Sequence, residues 1–265
     1  MPPPPETVEV DFISPRHLAG GGDPAWVTVP LHRACGWSHG NDPLMPRVLL
    51  SSPDQKALLR LEPVPDGQWW TLSHAPRPGR PGWYASFGGH TPVELIAAFT
   101  DALTDPTPAD LPADPYDPLA DADWGPVYGK RGIVSPDSTA RVEHVVGRST
   151  DHWVATSAVG DRPVWQARFG EHTPARLITA FTTALADTRP VARTDSPHGL
   201  PSLNPGLVTR RSTGARGARR LCSRRTRPIP GRPPRRSGSG TSTSATGAVH
   251  KRPQSLNPPS PPGST

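Results

Sequence analysis

The sequence predicts an α+β fold: two tandem copies of a small antiparallel β-meander, each of about four strands and closed by one C-terminal amphipathic helix, followed by a disordered tail. Three observations predict it. The segment Phe87 to Leu103, FGGHTPVELIAAFTDAL, returns 82 residues later as Phe169 to Leu185, FGEHTPARLITAFTTAL, with 12 of 17 positions identical. Each copy of that segment follows short β-type runs separated by turn residues. All 16 aromatic residues precede position 182, while Pro and Gly make up nearly a quarter of the 265 residues. The core therefore belongs to about the first 185 residues.

Taken in order, residues 1–7 are a Pro-rich start and residues 8–105 the first repeat with an N-terminal extension. The Pro30-Leu31 segment predicts one short helix with proline in its first turn. Val48 to Ser51 and Ala57 to Leu61 read as strands flanking Ser52-Pro53-Asp54, where Ser then Pro suits the first two positions of a type I turn. Gln68 to Ser73 and Trp83 to Phe87 supply two more strands, separated by the Pro/Gly/Arg loop from Ala75 to Gly82. The second copy repeats the plan. Ser135, Pro136, Asp137 and Trp153 answer Ser52, Pro53, Asp54 and Trp70 at an offset of 83, and Trp165 answers Trp83 at 82. Further back, Pro118, Leu119, Ala122 and Trp124 resemble Pro30, Leu31, Ala34 and Trp37. A unit of roughly 75 residues present only twice is a domain duplication, not a solenoid. Residues 106–117 then form a Pro/Asp linker, and residues 118–188 the second repeat.

The closing helix is the best-specified element. Thr91 is placed to cap it, Pro92 to open it and Glu94 to complete a capping box. Thr173 and Pro174 repeat the cap, but Arg176 stands where the first copy has Glu94. Leu95, Ile96, Phe99 and Leu103 share one helical face, as do Leu177, Ile178, Phe181 and Leu185, so each helix should pack on its sheet. The two sheets or the two helices are expected to pack against each other around a pseudo-twofold axis.

The Ser-Pro-Asp turn, the spaced tryptophans and the Trp-x-Ala-x-Phe-Gly-x-x-Thr-Pro-x-x-Leu-Ile-x-x-Phe-Thr block resemble the domain of unknown function family 317, a tandem domain of high-GC actinomycete bacteria. Ser14-Pro15-Arg16-His17-Leu18-Ala19-Gly20 ahead of the first copy fits the same pattern. The resemblance covers about residues 8–190. It implies no activity, ligand or catalytic residue.

Candidate chemistry is sparse. His32, Cys35 and His39 are the one cluster of soft ligands; a fourth ligand is missing, and the second copy has Ala120 and Asp123 at the corresponding places, so a partly buried Cys and two solvent-facing His residues are expected and no metal or other cofactor. His90 and His172 precede the capping threonines, where an imidazole would sit beside helix amides that can hold an anion. The plainer expectation is a turn residue that fixes the start of the helix. No Gly-x-Ser-x-Gly elbow or phosphate-binding glycine loop is present, and the acidic residues concentrate in Asp105 to Asp123, so no catalytic constellation is read and the protein is expected not to be an enzyme. Eight tryptophans are the notable excess. On a strand Trp69 and Trp70 face opposite sides, so one enters the core and the other is open to a partner. Trp69, Trp70, Trp83, Trp153 and Trp165, with His90 and His172, are therefore the expected binding surface of a tandem interaction module for a protein or small ligand.

The net charge of +6 is unevenly spread: residues 1–187 carry 14 basic and 22 acidic residues, and residues 188–265 carry 15 and one. The tail from 189 onward is mostly Arg, Pro, Ser, Gly and Thr, and its composition predicts disorder. Non-specific nucleic-acid association is the alternative function it supports. An altered reading frame of GC-rich DNA after Val208 produces the same composition. Met1 followed by Pro2 to Pro5 lacks the basic start and apolar stretch of a signal peptide, and the longest aliphatic run is Val48-Leu49-Leu50, so a cytoplasmic protein without membrane contact is expected. Cys35 and Cys222 make no disulfide framework.

Overall fold

The computed structural model describes residues 7–40, 47–64, 67–106, 113–148, 151–194 and 208–215. The Pro-rich start, the centre of the Pro/Asp linker and the tail beyond 194, apart from 208–215, lie outside the described residues.

In the first copy β2 (Ser38–Gly40), β3 (Val48–Ser51), β4 (Ala57–Leu61), β5 (Gln68–His74) and β6 (Trp83–Gly88) form an antiparallel meander, followed by helix α2 (Val93–Thr104). Alternation decides which face is buried: in β4, Ala57, Leu59 and Leu61 are buried while Leu58 and Arg60 face outward. The turn between β3 and β4 is built by the Ser-Pro-Asp motif. Ser52 Oγ accepts the Ala57 amide at 2.9 Å and donates to Asp54 Oδ1 at 2.7 Å, and Gln55 closes the turn at φ 58°. The second copy repeats this with Ser135 Oγ, the Ala140 amide at 2.9 Å, Asp137 Oδ1 at 2.6 Å and Ser138 at φ 61°.

That second copy begins with the short helix α3 (Asp117–Ala120) and runs through β7 (Gly125–Pro126), β8 (Gly132–Val134), β9 (Ala140–Val146), β10 (Asp151–Val159) and β11 (Arg162–Phe169) to α4 (Ala175–Ala186). Each meander has five strands, one more than expected. The additional strands β2 and β7 are three and two residues long, too short to show apolar alternation.

The two copies do not keep separate sheets or cores. Strand β6 pairs antiparallel with β11, with Phe87 opposite Ala167, Ser86 opposite Arg168 and Ala85 opposite Phe169. Exchanging the copies maps this register onto itself, which places a pseudo-twofold axis at Ser86 and Arg168. The pairing satisfies the backbone groups that each meander would otherwise leave open at its last strand, and it yields one ten-stranded sheet ordered β2-β3-β4-β5-β6-β11-β10-β9-β8-β7. Helices α2 and α4 pack together, and Phe87, Phe99, Phe169 and Phe181, all fully buried, meet at the axis with ring centroids 5.1 to 5.9 Å apart. Leu95, Ile96, Leu177, Ile178 and Leu185 complete one continuous core.

Both helix starts differ from the expected capping box. Pro92 and Pro174 are the N-cap residues, in extended conformation at ψ 127° and 128°, and neither start has a side-chain cap bond. Thr91 is fully buried and its hydroxyl has no hydrogen-bond partner among the described residues, while the Thr173 hydroxyl donates to the Tyr84 carbonyl at 3.0 Å. Glu94 cannot close a box because Arg193 holds it from both sides, at 2.7 and 2.9 Å.

The N-terminal extension contributes β1 (Thr7–Ser14), a 3₁₀ turn (Arg16–Leu18) and α1 (Ala25–Arg33). Pro30 lies inside α1, not in its first turn; the Asp23 carboxylate accepts the Ala25 amide at 2.9 Å and starts the helix instead. Strand β1 sits between β12 (Val191–Arg193) and β13 (Val208–Ala215) in a second, three-stranded sheet. Both partners fall within the stretch predicted to be a disordered tail, which is corrected at these positions. Val191 packs with Ile13 and Ala19 in a small cluster of its own, which supplies the burial that β12 needs.

Candidate functional site: the cleft beside Trp83

The pseudo-twofold axis creates two related clefts, each between a strand tryptophan of one copy and the helix start of the other. They differ in what fills them. The first lies between Trp165 and the start of α2 and is occupied by the chain's own residues 16–22. Trp165 Nε1 donates to the His17 carbonyl at 2.8 Å, and the Val93 amide donates to the Gly21 carbonyl at 2.9 Å. A Cβ on Gly21 would lie 2.5 Å from the Gly89 carbonyl oxygen, so only glycine permits this approach. The segment is fastened on all sides. Arg193 donates to the Ala19 and Gly20 carbonyls at 3.0 and 3.1 Å while gripping Glu94, and Arg16 pairs with Asp187 at 2.7 Å. The buried His17 donates from Nε2 to the Thr139 hydroxyl at 2.6 Å, and that hydroxyl donates to Asp137 at 2.7 Å.

Several carboxylates in this region are strongly acidic. Burial alone would raise Asp137, but the His17 imidazole 3.6 Å away and hydrogen bonds from Ser135 and Thr139 outweigh it and hold the carboxyl far below the usual range. Asp187 is brought down to about 2, chiefly by the Arg189 hydrogen bond, against a smaller opposing effect of burial and with help from Arg16. Asp54, the counterpart of Asp137, is lowered by the Ser52 hydroxyl and pairs with Arg77 at 2.8 Å. Asp54 thus anchors the Arg77 guanidinium, while Asp137 holds the Thr139 hydroxyl that meets His17.

The second cleft lies between Trp83 and the start of α4 and is a cavity of about 370 Å³. Its polar lining is His74, Arg77, Arg80, Trp83, His172 and Arg176, with Leu103 and Leu177 at its base. Trp83 is 9% exposed and meets Phe99 edge-on at 6.1 Å and 70°, as Trp165 meets Phe181 at 6.3 Å and 79°, so the two indoles are equivalently set. Yet neither the Trp83 indole N–H nor the Ala175 amide has an acceptor among the described residues, whereas their counterparts Trp165 and Val93 donate to the inserted segment. His74 donates from Nδ1 to the Ala75 carbonyl at 2.7 Å and stacks on Trp83 at 5.4 Å. Arg176 takes the place of Glu94 and donates to the Ala102 carbonyl. No Asp, Glu, Ser or Cys is among the lining residues. The wall is mixed, with Ala75, Pro81, Leu103, Pro174 and Leu177 beside polar groups dominated by the N–H donors of Arg77, Arg80, Arg176 and Trp83, which suit carbonyl and carboxylate oxygen.

The other residues singled out in the sequence fall elsewhere. Trp70 and Trp165, 2% and 3% exposed, are core residues facing the helices. Trp69 is the half-buried one of its pair, as alternation requires; it lies over Gly89 and donates to the Val64 carbonyl at 2.8 Å. Trp153 is half-buried between Tyr116 and His144, the latter stacked at 4.4 Å and paired with Asp151. His90 and His172 are both exposed, but only His172 lines the open cleft. His32 donates from Nδ1 to the Trp37 carbonyl at 2.8 Å, Cys35 is half-buried against the core and His39 is exposed on β2. Among the described residues no three His, Cys, Asp or Glu side chains are grouped to hold a metal ion. None of the described helices is long and apolar enough to cross a membrane.

Sequence reasoning missed Arg77, Arg80 and Leu103, and His74 as well. Two signals pointed toward them: the exchange of Glu94 for Arg176, and the loop Ala75 to Gly82, whose counterpart in the second copy is the tight turn at Gly160-Asp161.

These features define a pseudosymmetric tandem α+β module with one filled and one open cleft. Two stretches, residues 51–109 and 134–191, match SPDY, a domain of unknown function (DUF317), so the chain carries that domain in two tandem copies. No curated protein and no solved structure matches the chain. Both walls of the open cleft lie within the matched stretches, whereas residues 16–22 lie ahead of them.

Proposed function

We propose that this chain is a non-enzymatic interaction module whose contact surface is the open cleft beside Trp83. The observation that carries the reading is the contrast between the clefts: the Trp165 indole N–H is satisfied by the chain's own residues 16–22 on one side, whereas its counterpart Trp83, with no acceptor for its indole N–H among the described residues, lines a 370 Å³ cavity on the other. A donor left open on a cavity wall is a place where the acceptor of a ligand can bind. The reading retains Trp83 and His172 from the predicted tryptophan-bearing surface. Trp70 and Trp165 are left to the core, and the exposed sheet positions become secondary. Capture from native cell extract by the full chain, compared with a Trp83→Phe/Arg176→Glu variant, tests it. A partner or ligand retained by the wild type and lost by the variant is the expected result; identical capture by both refutes the cleft as the contact surface.

A further inference from the structure

The filled cleft shows what kind of occupant this architecture accepts: a stretch of polypeptide backbone offering one carbonyl to the strand indole and another to the first helical amide. Residues 16–22 do this with the His17 and Gly21 carbonyls, and charge is balanced because Arg193 answers Glu94. At the open cleft the helix-start side chain is reversed in sign. Arg176 replaces Glu94, and Arg80 adds a further cationic donor. Arg77 is already answered by Asp54, whereas Arg80 and Arg176 have no ion-pair partner among the described residues. An occupant that repeats the backbone geometry must therefore carry the opposite charge to the one Arg193 supplies on the other side.

We infer that the open cleft receives an acidic peptide segment of a partner protein, seated in trans as residues 16–22 are seated in cis. A backbone carbonyl accepts the Trp83 indole N–H, and a carboxylate side chain pairs with Arg176 and Arg80. Leu103 and Leu177 form the apolar base against which the segment packs. This inference rests on the cleft being the contact surface.

The test is selection of a displayed random hexapeptide library on the full chain, followed by fluorescence anisotropy with the enriched peptide and with inorganic phosphate as competitor. The expected result is enrichment of Asp and Glu, with affinity falling roughly tenfold or more in both Trp83→Phe, which keeps an aromatic side chain but removes the donor, and Arg176→Glu, which restores the residue of the filled cleft. Enrichment without acidic bias, or binding unchanged in both variants, overturns it. If no peptide is enriched but phosphate binds the wild type and not Arg176→Glu, the peptide class is wrong while the cleft remains the contact surface. If neither binds, both readings fall.

Discussion

Phe87→Ala probes whether the two repeats fold as one body. Phe87 is fully buried and meets Phe99 at 5.6 Å, Phe169 at 5.8 Å and Phe181 at 5.9 Å, so it touches the helix of its own copy and both the strand and helix of the other. Truncating a buried Phe costs about 3–5 kcal/mol, and with three ring pairs lost, each worth about 0.5–1.5 kcal/mol, the upper part of that range is expected. For a body of this size each kcal/mol lowers the midpoint by roughly 2–4 °C, which gives a fall of about 8–20 °C. Urea and thermal unfolding, followed by tryptophan fluorescence and far-UV circular dichroism, should show a single transition that moves as a whole, because tryptophans of both copies share the core. Phe169→Ala, its counterpart across the axis, should cost a similar amount, and Phe87→Leu provides a milder variant should the alanine form fail to fold. A biphasic curve in which one transition keeps the wild-type midpoint would refute the shared core, since independent repeats would confine the damage to the first copy.

Other perturbations address the filled cleft. Gly21→Ala brings a methyl group to 2.5 Å from the Gly89 carbonyl oxygen, a backbone atom that cannot swing aside, and should destabilise the protein by about 1–3 kcal/mol in thermal unfolding. Glu94→Gln leaves the 12%-exposed Arg193 without its carboxylate and should cost about 1–3 kcal/mol; adding Arg193→Gln should recover part of that loss, and strict additivity in the double-mutant cycle would deny the coupling. Asp137 and Asp187 are held below the unfolded carboxyl value of about 3.9, so their contribution is complete above that pH and is lost as pH falls through their folded values, near 2 for Asp187. Urea midpoints should decline from about pH 4 downward, less steeply in an Asp137→Asn/Asp187→Asn variant, and a midpoint flat across that window would contradict the assignment.

Local order was legible in the sequence wherever it depended on neighbouring residues. The repeated block marked both closing helices to within a few residues, apolar alternation marked β4 and β5, and the Ser-Pro-Asp motif marked both hairpin turns. Positions whose surroundings come from distant parts of the chain were not legible. Glu94 looked like half of a capping box because the box is defined within one helical turn, and nothing nearby announced that Arg193, 99 residues away, would take it. Trp70 and Trp165 looked like candidates for contact because a strand has two faces and sequence alone does not say which one the helices cover.

Duplication, the α+β pattern of each copy and the amphipathic helices were determined by the sequence itself, because periodicity and turn chemistry act over a few residues. The tertiary structure alone decided that β6 joins β11 to merge two sheets, that residues 16–22 fill one cleft, and that Trp83, Arg80 and Arg176 surround an open one. Those outcomes depend on which unpaired strand edge and which helix start meet in space, and the physical cause, satisfaction of backbone donors by groups remote in the chain, leaves no local trace.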